Sequence, residues 1–143
     1  MTKMLTRTLL ATLLLGTAVV FAGPASAEKY KVTLDGKSEV PANTSAGTGT
    51  ADVDYDAATK KLTWKLTYSG LSGPATAAHF HGPAEAGKNA GVKVPIANAT
   101  SSPAEGSATL TDEQAADFLA GKYYINVHTA ANPGGEIRGQ VSK

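Results

Sequence analysis

Cysteine is absent from all 143 residues. That excludes disulfides and any thiol mechanism, and it removes the attachment residue of a bacterial lipoprotein. Arginine is almost as scarce, with only Arg7 and Arg138. No basic stripe with interleaved aromatics and no polybasic cluster occurs, which argues against nucleic acid or anionic lipid as a partner. Gly-x-Ser-x-Gly is missing, as is a glycine-rich loop joining a strand to a helix, so neither a serine-nucleophile elbow nor a phosphate cradle is expected. There is no internal repeat of the kind that builds solenoids.

Long apolar runs are also lacking, with one exception near the start. Leu9 to Ala22 is apolar but shorter than the roughly 20 residues that span a bilayer, and Gly16 interrupts it. Lys3 and Arg7 precede this run and Ala25-Ser26-Ala27 follows it. A basic start, an apolar centre and a small-x-small end are the pattern of a cleaved export signal. The expectation is therefore a signal peptide over residues 1–27 and a single domain over residues 28–143, exported to the periplasm or beyond and free of the membrane after cleavage. Removing Lys3 and Arg7 from the 13 basic residues leaves 11 against 12 acidic ones, so the exported domain is close to neutral. Its 116 residues, 143 less 27, suffice for one compact core.

What remains reads as strands and turns. Tyr30, Val32 and Leu34 alternate with polar residues, as do Ala51, Val53 and Tyr55, and then Leu62, Trp64 and Leu66. A period of two marks a strand with one buried face. On that pattern Asp52, Asp54 and Asp56 form a solvated face, because they lack the downstream residues of a calcium loop. Ala78 and Phe80 suit the core, which turns His79 and His81 to the other side. Val92, Val94 and Ile96 form a further strand, with Pro95 favouring a sheet edge, and Ala108 and Leu110 suggest another. Thr111 followed by Asp112 and Glu113 starts a short helix that Gly121 can close. Seven or eight short strands with frequent turns predict an all-β fold, a Greek-key β-sandwich or barrel of immunoglobulin-like or superoxide-dismutase-like form, with one short helix.

The last hairpin gathers most of the unusual polar residues. Tyr123, Ile125 and Val127 alternate with Tyr124, Asn126 and His128, and Ile137 and Val141 alternate with Glu136, Arg138 and Gln140 across an Asn132-Pro133-Gly134-Gly135 turn. The alternation places Asn126, His128, Glu136, Arg138 and Gln140 on one face. All three histidines of the chain, His79, His81 and His128, fall at such outward positions. Two imidazoles two residues apart on a strand, joined by a third from a neighbour, would make a set suited to copper or zinc, with Asn126, Glu136 and Arg138 as supporting residues. The competing reading is that the histidines are hydrogen-bonded structural residues and that Glu136 and Arg138 are an ordinary ion pair, worth less than about 1 kcal/mol if exposed.

Glu39-Val40-Pro41, Ala78-His79-Phe80-His81-Gly82-Pro83-Ala84, Leu119-Ala120-Gly121-Lys122-Tyr123-Tyr124 and the run from Asn126 to Gln140 together resemble the CHRD domain, the module named after chordin. The resemblance runs from about Lys31 to Val141. It implies an exported single-domain module that acts by binding, with an extracellular or envelope protein as one class of partner. His79-x-His81 in a small β-fold is also similar to the paired copper ligands of copper/zinc superoxide dismutase. By that likeness His128 stands for the later copper ligand and Arg138 for the arginine that guides the anion. The bridging histidine, the zinc site and the cysteines of that enzyme have no counterpart here. Three functions follow: a metal-binding module, a copper-only dismutase-like redox enzyme, or a structural and adhesive interaction module.

Overall fold

The computed structural model describes residues 26–143, so the leader expected over residues 1–27 falls almost wholly outside the described residues. Eight strands and one α-helix follow in the order β1 (Glu28–Asp35), β2 (Thr48–Asp56), β3 (Lys61–Ser69), β4 (Ala75–His81), β5 (Val92–Pro95), β6 (Ala104–Thr109), α1 (Asp112–Leu119), β7 (Tyr123–Thr129) and β8 (Ile137–Val141). All the strands join one antiparallel, barrel-like sheet in the order β5-β4-β7-β8-β1-β2-β3-β6. β1, β2 and β3 form a meander and β8 returns beside β1, the Greek-key arrangement.

Alternation decides which side of the sheet is filled. Leu34, Val53, Leu62, Leu66, Phe80, Ile125, Val127 and Ile137 are fully buried on the concave side. Each large aliphatic or aromatic group contributes about 1.5–3 kcal/mol by leaving water. Trp64 on β3 meets Phe80 on β4 edge to face at 5.2 Å, although these strands are not hydrogen-bonded neighbours. The sheet therefore curls over its own core. Gly106 lies opposite Trp64 in the β3–β6 ladder, and a Cβ there would come within 2.7 Å of the indole.

Helix α1 closes one end of the barrel. Thr111 caps it, accepting from the Gln114 N–H while the Gln114 side chain accepts from the Thr111 N–H. Such a reciprocal cap is worth on the order of 1 kcal/mol. Gly121 follows at φ +73°, the left-handed conformation that ends helices. The buried face of α1 carries Phe118, which packs against Tyr30, Tyr55 and Tyr123.

The aspartates of β2 form the solvated face expected of them, with Asp54 and Asp52 pairing Lys29 and Lys31 across the ladder. Two details differ from the sequence pattern. Val92 is 51% exposed, because the register slips at Phe80/His81 in the pairing with edge strand β5. Glu136 does not share a face with Arg138. It precedes the first residue of β8, and Gly135 before it sits at φ +131°, so the alternation starts only at Ile137.

Candidate metal centre

β4 and β7 are neighbours in the sheet, with His79 opposite Asn126 and His81 opposite Tyr124. His128 lies two residues beyond Asn126 on the same strand, so all three histidines emerge on the convex side around Asn126. One ring nitrogen from each lies within 4.8 Å of those from the other two. The His79 Nδ1 to His128 Nε2 distance is 3.0 Å. Three nitrogens bound to one tetrahedral ion at about 2.0–2.1 Å would stand roughly 3.3 Å apart. Only small side-chain rotations separate the present arrangement from that geometry.

Two backbone carbonyls fix the tautomers. His81 Nδ1 is 2.9 Å from the Ala90 oxygen, and His128 Nδ1 is 2.9 Å from the Pro133 oxygen. A carbonyl oxygen only accepts, so both Nδ1 atoms carry hydrogen and donate. In the neutral imidazoles this leaves the Nε2 lone pair of His81 unmet, while that of His128 is turned to His79 Nδ1. His81 Nε2 is buried and has no hydrogen-bond partner. Burial lowers the pKa of His79, and the neighbouring His128 and His81 lower it further. Burial also lowers that of His81, more than its bond to the Ala90 carbonyl raises it. Both rings thus favour the neutral form that ligates a cation.

The loop between β4 and β5 forms one wall. Tyr124 OH donates to the Ala90 oxygen and accepts from the Ala90 N–H, each at 3.1 Å. The Tyr124 ring stacks on His81, with centroids 4.9 Å apart and planes 3° from parallel. Since β7 lies between β4 and β8, Arg138 approaches this ring from its other side, with Cζ 3.4 Å from the centroid. Arg138 also donates to the Asn89 side-chain oxygen and to the Lys88 carbonyl. The guanidinium clamps the loop that presents Ala90 to His81.

Arg138 is 2% exposed and its terminal nitrogens are committed. It is therefore not the open anion guide that the dismutase likeness implied, and it forms no ion pair with Glu136. The Glu136 carboxylate lies elsewhere. It accepts from the hydroxyls of Ser45, Ser72 and Thr129, each at 2.6 Å, from the Ser72 N–H at 2.7 Å and from the Asn132 amide at 3.3 Å. Burial alone would raise its pKa, but these donors outweigh burial and hold it at about 2. Glu136 ties loops together and touches none of the histidines.

Asn126 does stand beside the cluster. It is 2% exposed, donates from Nδ2 to the Gly134 oxygen at 3.3 Å, and lies against the His81 ring and the Glu39 carboxylate. Sequence reasoning missed Glu39, Tyr124 and the two carbonyl acceptors. Tyr124 was in view, because it alternates with Asn126 and His128. Glu39 is an isolated acid in a loop, and the carbonyls belong to every residue type, so no local pattern distinguishes them.

No curated protein and no solved structure matches the chain by comparison. The CHRD domain family does match, over residues 30–141, a span that holds all three histidines and the loops that orient them. The chain belongs to the CHRD domain family.

Proposed function

We propose that this chain is an exported binding module that holds copper or zinc through His79, His81 and His128. The observation that supports it most is the tautomer lock. Ala90 and Pro133 each take the Nδ1 hydrogen of one imidazole, leaving the buried Nε2 of His81 without a partner and turning the Nε2 of His128 to His79. A buried histidine whose task is to tie a loop down would spend both ring nitrogens on protein partners, and His81 spends only one. Imidazole donors without thiolate or carboxylate suit copper and zinc among the common ions. Export rests on the basic, apolar and small-residue pattern of residues 1–27 and is consistent with a domain that uses no cysteine.

Titration of the purified protein with copper(II), copper(I) and zinc, beside His79→Ala, His81→Ala and His128→Ala, tests the reading. The expected result is one equivalent of metal bound, with affinity falling at least 100-fold in each variant while the fold persists. A wild-type protein that binds no better than its variants would sink the metal reading. If His79→Ala then lowered stability with no change in metal content, the structural and adhesive alternative would take its place. The redox alternative requires superoxide turnover by the copper-loaded protein. The enclosure of Arg138 counts against it.

A further inference from the structure

Asn126 carries the second unpartnered atom of this region. Its Oδ1 is buried and meets no donor while His81 is neutral, and the Nε2 of His81 beside it is then equally unmet; only a proton on that Nε2 would join the two. The amide cannot be turned over to relieve this. Nδ2 faces the Gly134 oxygen, which only accepts, and it also faces the Glu39 carboxylate. Turning the amide would set oxygen against oxygen on both. Gly135 enforces the arrangement from behind, since a Cβ there would lie 2.6 Å from Asn126 Nδ2 and would collide with Glu39 Oε1. Two buried lone pairs, one on nitrogen and one on oxygen, are thus held next to each other with no donor between them. Each left unmet costs about 1–3 kcal/mol, a penalty that one shared cation would remove.

The position of Asn126 in the ladder points the same way. His79 is its direct cross-strand partner, His81 is the diagonal neighbour on β4, and His128 is two residues along β7. Among the described residues, no other ladder position beside β4 has all three histidines as its same-face neighbours.

Building on the three-histidine reading, we infer that Asn126 Oδ1 is the fourth donor to the metal, so that the centre is a closed set of three imidazole nitrogens and one amide oxygen. Closed four-donor sets hold metal, whereas catalytic ones keep a position open. The inference therefore favours a holding site over a redox enzyme. Glu39 and Gly134 act as positioning groups that orient the amide.

The test is pulsed and continuous-wave electron paramagnetic resonance of the copper(II)-loaded protein, with Asn126→Ala and Asn126→Asp alongside and the melting of each metal-free chain as the check on folding. The wild type is expected to show three imidazoles and the weak coupling of an amide nitrogen bound through its oxygen. Asn126→Ala loses the amide signal, keeps three imidazoles and binds copper about 10–100-fold more weakly. Asn126→Asp, which keeps an oxygen at that position, binds at least as tightly as the wild type. Copper held by three imidazoles with no amide coupling in the wild type, or with Asn126→Ala unchanged in spectrum and affinity, overturns the fourth donor and leaves the three-histidine reading standing. A folded wild type that takes up neither copper nor zinc overturns both.

Discussion

The β7–β8 hairpin carries two buried polar clusters a few residues apart, and they are built on opposite terms. At Glu136, five donors converge on two carboxylate oxygens, and the charge is met without a cation. Around Asn126, acceptors outnumber donors: His81 Nε2, Asn126 Oδ1 and Glu39 Oε1 are all buried and all unmet. A saturated cluster has reached its lowest free energy within the chain and serves the fold. An unsaturated one retains the capacity to gain free energy from something outside the chain. The two cannot be told apart by residue type, since both mix acids and amides, but the count of donors against acceptors separates them.

The sharpest way to break this comparison is to disturb the saturated side. Glu136→Gln replaces one acceptor oxygen with an amide nitrogen that faces donors from Ser45, Ser72 or Thr129. Chemical denaturation is expected to show a loss of about 3 kcal/mol. Metal affinity should stay within a factor of a few. A variant as stable as the wild type would show that the five bonds contribute little.

Acid provides a second probe of the same group. With a folded pKa of about 2 against an ordinary value of 4.5, Glu136 contributes fully above pH 4.5, and the contribution is lost as pH falls toward 2. The wild type should therefore lose stability more steeply across that window than Glu136→Gln does. Parallel curves would contradict the assignment.

The smallest effect is expected on the unsaturated side. Burial raises the pKa of Glu39, although Arg138 and the Val40 and Asn126 N–H groups oppose that rise. An oxygen that lacks a partner loses little when it is replaced. Glu39→Gln should shift stability by less than about 1 kcal/mol in either direction. A loss equal to that of Glu136→Gln would mean that the Glu39 network is as structural as the other.

Much of this was legible in the chain. The alternation of Leu62, Trp64 and Leu66 marked a strand and its buried face, and Thr111 followed by Asp112 and Glu113 marked the start of α1. The same alternation turned His79, His81, His128, Asn126 and Arg138 outward, because side chains two apart on a strand share a face. It failed at Glu136, where the left-handed turn at Gly135 resets the alternation before β8 begins.

The sequence by itself thus determined which residues leave the core. Only the tertiary structure decided which of them meet. That β4 lies beside β7 depends on a pairing across nearly fifty residues, and strand propensity carries no information on partner choice. The saturation of Glu136, the tautomers of His81 and His128 and the orphaned oxygen of Asn126 depend on loop carbonyls and hydroxyls brought in from Ser45, Ser72, Ala90, Pro133 and Gly134. Backbone groups are alike in every residue, so where each one is spent is decided only when the chain has folded.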